Sequence, residues 1–199
     1  MKKILRLLLI TNCTILIVHS QWQPDVRLTY HPAPSQYPIV SVVGQFVHIV
    51  WEEFRDDNWE IYYKLSTDNG VNWEADTRIT NNTADSRFPD VSVSGSNIHV
   101  VWEDRRDGNN EIYYKFSTDN GINWSEDKRL TNDPANSLDP SLSISSGILH
   151  VVWKEYRDGN RDVYYKRSTD GGINWETDKR LTYDPLNSYD PDISVSGQT

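Results

Sequence analysis

Carboxylates are the most chemically suggestive side chains in this chain, and they recur in three places. Glu52, Glu53, Asp56 and Asp57 form one group, Glu103, Asp104 and Asp107 a second, and Glu155 and Asp158 a third. Paired carboxylates could act as acid and base, or acid and nucleophile, on a glycosidic bond. Yet Arg55-Asp56, Arg106-Asp107 and Arg157-Asp158 occupy equivalent positions in the three groups. A catalytic group occurs once per site, so these pairs are expected to lock one structural unit to the next. Trp59 and Arg87 do not recur. Asn110 and Arg161 stand in place of Trp59, and Gln36, Leu138 and Tyr189 in place of Arg87. A guanidinium can grip a carboxylate with two hydrogen bonds, and an indole can stack on a sugar ring or pack against its neighbours. Trp59, Arg87, Arg55, Arg106 and Arg157 are therefore the candidate ligand-binding residues. No residue is assigned as catalytic.

Asp107-Gly108-Asn109-Asn110-Glu111 and Asp158-Gly159-Asn160-Arg161-Asp162 place oxygen atoms at alternate positions, as Ca²⁺ loops do, but are shorter than a full motif. Asp-Gly is also an ordinary hairpin turn. No metal or cofactor is assigned, and Ca²⁺ stays open as an alternative. His48, His99 and His150 recur inside apolar runs and are expected to hydrogen-bond between units rather than to bind zinc. Trp51, Trp102 and Trp153 recur beside them and read as core.

These residues are positioned by a repeat. Ser66-Thr67-Asp68-Asn69-Gly70-Val71-Asn72-Trp73 returns at 117–124 and at 168–175, each step being 51 residues without insertion. A period of this size signals stacked supersecondary units. The stretch itself is a turn. Asp68, Asp119 and Asp170 can fold their carboxylates onto backbone N–H groups. Gly70, Gly121 and Gly172 supply positive φ, and Trp73, Trp124 and Trp175 supply apolar anchors. Ser66, Ser117 and Ser168 open each copy. Units run 27–77, 78–128 and 129–179, with a partial fourth over 180–199, and each opens on Arg-(Leu/Ile)-Thr. Within a unit, a polar loop leads through a Pro (Pro38, Pro89, Pro140, Pro191) into an alternating run such as 90–94, with Pro expected at the strand's first residue. Further strands are expected over 98–102, 111–117 and about 127–131. Period-two alternation and the absence of helical periodicity give four short antiparallel strands per unit.

The pattern Ser-x-Asp-x-Gly-x-x-Trp is the Asp-box, and the chain resembles sialidase-like (BNR-repeat) β-propellers over nearly all of 21–199. The resemblance implies an all-β propeller of four-stranded antiparallel blades. Gln21-Trp22-Gln23-Pro24-Asp25-Val26 aligns with 72–77 and reads as the outer strand of another blade. Three full blades and two partial ones fall short of the four to eight in a closed ring, so the chain is expected to be part of a larger propeller whose remaining blades are its partners. The resemblance also places ligands on the face opposite the Asp-boxes. Ser86-Arg87-Phe88-Pro89 is the nearest stretch to the (Phe/Tyr)-Arg-Ile-Pro that carries one sialidase arginine, but it lacks the preceding aromatic and has Phe88 for Ile.

The first 20 residues read as a signal peptide, with Lys2, Lys3 and Arg6 ahead of an apolar run that is too short for a membrane span. The only cysteine, Cys13, lies inside it, so no disulfide is expected in the exported chain. Without that segment, 17 basic face 29 acidic side chains, a net charge of about −12. Such a surface disfavours nucleic acid and anionic membranes. The expectation is a secreted or cell-surface, non-catalytic propeller segment that binds a glycan or an extracellular protein. The alternative is an exo-sialidase-type glycoside hydrolase completed by further blades.

Overall fold

Alternating apolar residues, broken every few positions by Gly, Asn, Asp and Pro, fold into three four-stranded antiparallel sheets, with no helix among the described residues. The structure, a computed structural model, describes residues 24–55 and 57–197. The expected signal peptide, Trp22 and Asp56 lie outside the described residues. The first sheet holds β1 (Ser35–Val43), β2 (Phe46–Arg55), β3 (Asn58–Ser66) and β4 (Thr77–Arg78) in that order. The second holds β5 (Ser86–Ser94), β6 (Asn97–Asp104), β7 (Glu111–Ser117) and β8 (Lys128–Arg129). The third holds β9 (Ser137–Ser145), β10 (Ile148–Glu155), β11 (Asp162–Ser168) and β12 (Lys179–Arg180). Each is an all-β propeller blade of consecutive antiparallel strands.

The apolar cores lie between blades. Val50, Ile61, Tyr63, Leu65 and Ile79 of the first blade pack on Val91, Ile98, Val100, Trp102 and Tyr113 of the second. One period later, Val101, Ile112, Tyr114 and Leu130 pack on Leu142, Leu149, Val151, Trp153 and Tyr164. The seams are thus built from the same positions, 51 residues apart.

Three local expectations need correction. The repeated prolines are not first in their strands. Pro38, Pro89 and Pro140 lie inside β1, β5 and β9, next to register shifts between Gln36 and Ile39, Arg87 and Asp90, and Val152 and Lys154, and Pro191 lies in no strand. A bulge is the other place a sheet accepts Pro. The residue before each proline takes positive φ: Tyr37 49°, Phe88 51°, Asp139 50° and Asp190 47°. Such strain must be held by surroundings, and the buried carboxylates of Glu52 and Glu103 accept the N–H of Phe88 (2.8 Å) and Asp139 (2.7 Å) from the next blade. Second, the candidate acids and bases Glu52, Glu53, Glu103, Asp104 and Glu155 lie on strands and are buried rather than open to a substrate.

Third, the arginines lock each blade internally. Arg106 pairs with Asp104 (2.6 Å) and Asp127 (2.8 Å) and lies 4.3 Å over the Tyr113 ring, all in one sheet and its connections. Arg55 does the same with Glu53 (2.7 Å), Asp76 (2.9 Å) and Tyr62, and Arg157 with Glu155 (2.6 Å), Asp178 (2.9 Å) and Tyr164. The acid two residues earlier also accepts the buried indole N–H of Trp51, Trp102 or Trp153. The histidines likewise bond within a blade, His48 to Tyr63 (2.8 Å), His99 to Tyr114 (2.7 Å) and His150 to Tyr165 (2.8 Å). It is the tyrosine that crosses the seam, Tyr63 donating to the Asn120 carbonyl and Tyr114 to the Gly171 carbonyl, each at 3.3 Å.

Candidate functional site

The Asp-box is a closed local structure. Asp68 accepts the Asn72 N–H (2.8 Å) and amide (2.6 Å), Ser66 Oγ accepts the Gly70 N–H (2.8 Å), and Trp73 Nε1 donates to the Gly70 carbonyl (3.0 Å). The copies at Ser117, Asp119, Gly121 and Trp124, and at Ser168, Asp170, Gly172 and Trp175, repeat these bonds. The Asn donors hold all three aspartates below their usual pKa. With both oxygens engaged, the box has little left to offer a ligand. It shares its face with the β1–β2 type of turn: Asn69 N–H meets the Gln45 carbonyl (2.9 Å) and Asn120 N–H the Ser96 carbonyl (3.1 Å).

The opposite, loop face joins the β2–β3 and inter-blade connections, as when Arg105 N–H meets the Asp85 carbonyl (3.2 Å) and Ser137 N–H the Asn110 carbonyl (2.8 Å). Several concavities mark it, one of them, about 380 Å³, lined by Asp57, Asn58, Arg78, Asn81, Asn82 and Thr83. The central one, about 500 Å³, is lined by the four strained pre-proline residues, their prolines, Ile39 and Asp192. A smaller one, about 220 Å³, is lined by Asp85, Arg87, Phe88, Glu103, Arg105 and Asn110.

Arg87 and Trp59 meet at the first seam. The Arg87 guanidinium lies 4.7 Å over the Trp59 ring and 5.0 Å over Phe88, and pairs with buried Glu52 at 2.7 Å. Phe54 packs edge-on to Trp59 at 5.5 Å, and Tyr37 lies 4.7 Å from Phe88. Arg55, Arg106 and Arg157 are spent within their blades and are not brought to this cluster. The Ca²⁺ candidates are also spent on internal donors. Asp107 accepts the Tyr113 hydroxyl (2.5 Å) and faces Arg129 (3.2 Å), while Glu111 accepts Arg129 and Thr131. Among the described residues no cluster of three or more His, Asp or Glu is arranged to hold a metal.

Glu103 differs from Glu52 in lacking an arginine partner. It accepts only the Asp139 N–H and the Asn110 amide (3.2 Å), and burial pushes its carboxyl up to about 8. A carboxyl with a raised folded pKa stabilises below its unfolded value and loses that contribution as pH rises through the folded one. The Glu103→Gln variant keeps an acceptor for Asp139 and removes the charge. Its thermal midpoint should gain on the parent's as pH is raised from 5 to 9, by on the order of 2–4 kcal/mol in stability. Parallel pH profiles would refute this. The buried neutral His48 and His99, both lowered to about 4, act oppositely, costing stability as pH falls from 6.5 towards 4 in parent and variant alike.

The sequence alone missed Phe54, Arg105 and Tyr156, equivalent positions that all reach the loop face. The available signal was disagreement between otherwise matching units.

Comparison with known proteins accords with this architecture. The BNR/Asp-box repeat family model matches residues 115–126 and 166–177. Trypanosoma rangeli sialidase in complex with sialic acid superposes with a TM-score of 0.52 at 14% identity, covering 71% of this chain and 30% of that one. The fold is that of a sialidase-like β-propeller. Propellers of this kind also include Penicillium chrysogenum α-L-arabinanase complexed with arabinobiose (TM-score 0.58, 16% identity, 75% of this chain and 50% of that one). The α-L-arabinofuranosidase of Fusarium graminearum with arabinobiose is similar (TM-score 0.59, 16% identity, 75% and 49%). The present propeller chain spans about a third of the length of the sialidase and half that of the arabinose-acting enzymes. No curated protein matches it in sequence.

Proposed function

We propose that this chain is a secreted or cell-surface binding module that holds a glycan or an extracellular protein through its loop face without catalysing a reaction. One observation carries the reading: Arg87 and Trp59, neither of which repeats, meet on that face in one stack. Positions 54/105/156 read Phe, Arg, Tyr; 59/110/161 read Trp, Asn, Arg; and 36/87/138/189 read Gln, Arg, Leu, Tyr. The Asp-box positions, by contrast, repeat with their hydrogen bonds. A ligand sees one molecule and selects side chains singly, whereas packing selects them once per blade. Arg87, the nearest counterpart of a sialidase arginine, supports a non-catalytic reading, because its charge is already met by Glu52.

The test is binding to glycan and extracellular-protein arrays, repeated with Trp59→Ala and Arg105→Ala. At least one ligand should be lost or weakened about tenfold in one of the two variants. If instead the chain released the fluorophore from a sialoside or an arabinoside and Arg87→Ala abolished release, the non-catalytic reading would be wrong.

A further inference from the structure

Four residues that no other blade repeats line one small hollow. Asp85, Arg87, Arg105 and Asn110 surround it together with Phe88 and Glu103, enclosing about 220 Å³. In the first blade the same four positions hold Pro34, Gln36, Phe54 and Trp59, and in the third they hold Asn136, Leu138, Tyr156 and Arg161. The lining residues come from the loop-face ends of β5, β6 and β7, in the blade that packs against a four-stranded blade on each side.

Its walls are held in place and leave polar groups unused. Arg87 lies over Trp59 and Phe88 and spends Nε and Nη2 on Glu52, so Nη1 has no partner among the described residues. Asp85 Oδ1 accepts the Trp59 N–H (3.1 Å), as Asn136 Oδ1 accepts the Asn110 N–H (2.9 Å) and Asn187 Oδ1 the Arg161 N–H (2.9 Å). Asparagine therefore meets the structural need at this position. Aspartate adds a second acceptor, Oδ2, which is unpartnered among the described residues. Arg105 is exposed, and no ion pair involves it among the described residues. Asn110 has a buried carboxamide oxygen without a hydrogen-bond partner, a cost that a bound hydroxyl would relieve.

Donors and acceptors thus share one hollow beside an aromatic ring. Hydroxyls, which donate and accept at once, match that mixture, and Phe88 offers C–H groups an apolar wall. A carboxylate matches it less well. Glu52 meets the Arg87 charge, Asp85 stands opposite Arg105, and buried Glu103 is uncharged at neutral pH because burial pushes its carboxyl up to about 8. The volume lies below the about 300–1,000 Å³ of sites for drug-sized ligands, so it suits a single ring at the end of a chain.

We propose that Asp85, Arg87, Phe88, Arg105 and Asn110 form a one-ring subsite for a neutral terminal sugar of a glycan. The sugar's hydroxyls bridge Asp85 and Arg105, and its C–H groups lie against Phe88. This rests on the loop face being the binding face. The probe is an array of immobilised oligosaccharides with neutral or acidic terminal sugars, presented to the full chain, with Kd values measured for those retained. Neutral-terminated oligosaccharides should bind. Asp85→Asn and Arg105→Phe each install the residue that another blade carries, so the thermal midpoint should hold while binding weakens about tenfold or more. Arg167→Ala should change neither. Full binding in either Asp85→Asn or Arg105→Phe overturns the subsite. If those oligosaccharides, or an extracellular protein bound in their place, are lost in Trp59→Ala, the loop-face reading stands without it. If no glycan and no protein binds, both fall. Preference for oligosaccharides ending in a sialate or uronate, lost in Arg105→Phe, reassigns the subsite to a carboxylate and overturns the neutral sugar.

Discussion

Replacing Gly121 or Gly172 by alanine should destabilise the chain by about 3–5 kcal/mol, whereas Gly70→Ala should cost about 1–2 kcal/mol. All three glycines have the φ that disfavours a side chain, at 85°, 91° and 83°. That strain is common to them and sets the smaller figure. The difference lies across the seam. A Cβ on Gly121 would come within 2.5 Å of Tyr63 Cε1, and one on Gly172 within 2.5 Å of Tyr114 Cζ, but at Gly70 the nearest atom is Trp73 Cζ2 at 3.6 Å. Each tyrosine is itself fixed, Tyr63 by His48 and edge-on contact with Trp124 at 5.3 Å, Tyr114 by His99 and Trp175 at 5.1 Å. It cannot swing away without opening the core. Denaturant unfolding of the three variants measures this directly. Adding Tyr63→Ala should relieve part of the Gly121→Ala penalty, a coupling that independent sites would not show. Equal losses at all three glycines would mean that the Asp-box is a turn and no more.

A comparable loss is expected on removing one buried acid. Glu111 has no exposed surface and accepts Thr131 Oγ1 (2.5 Å), Arg129 Nη2 (2.6 Å) and the Asn109 amide (3.0 Å). Thr131 Oγ1 in turn accepts the Ile112 N–H (2.8 Å), and the Asn109 amide also reaches the Asp133 and Ala135 carbonyls, each at 2.9 Å. One carboxylate thereby ties the start of β7 to β8 and to the connection into the next blade. Glu111→Ala strands several buried donors and leaves the half-buried Arg129 with only the longer contact to Asp107 (3.2 Å), a change expected to cost about 3–5 kcal/mol. Exposed Glu126→Ala should be neutral within about 0.5 kcal/mol. A Glu111→Ala chain that melts with the parent would show that the network is ornamental.

This network explains why the Arg-(Leu/Ile)-Thr triplet was legible as a repeat but not as a function. Arg129 and Thr131 serve a residue 18 to 20 positions back in the chain, and no local pattern announces such a partner. The period, the strand order and the Asp-box turn could be read because each rests on short-range chemistry: alternation, Gly, Asp and Trp at fixed spacing. What could not be read was which groups meet across a seam. Adjacency pairs Arg106 with Asp107, yet the chain turns directly after β6 and brings the Arg106 N–H and guanidinium back onto Asp104. The histidines were given a neighbouring blade as partner, when the tyrosine on the adjacent strand is closer. The candidate site was half visible, since Trp59 and Arg87 stood out as unrepeated.

The Asp-box turns build one face of the blades, and on the proposed reading the unrepeated Trp59, Arg87 and Arg105 on the other face meet the ligand. A ligand taken from the arrays, added to the full chain during amide hydrogen exchange, tests this most directly. The account predicts added protection in the loop-face segments 54–59, 103–110 and 154–161, and none in the Asp-boxes at 66–73, 117–124 and 168–175. Protection confined to the Asp-boxes, with the loop face unchanged, would contradict it.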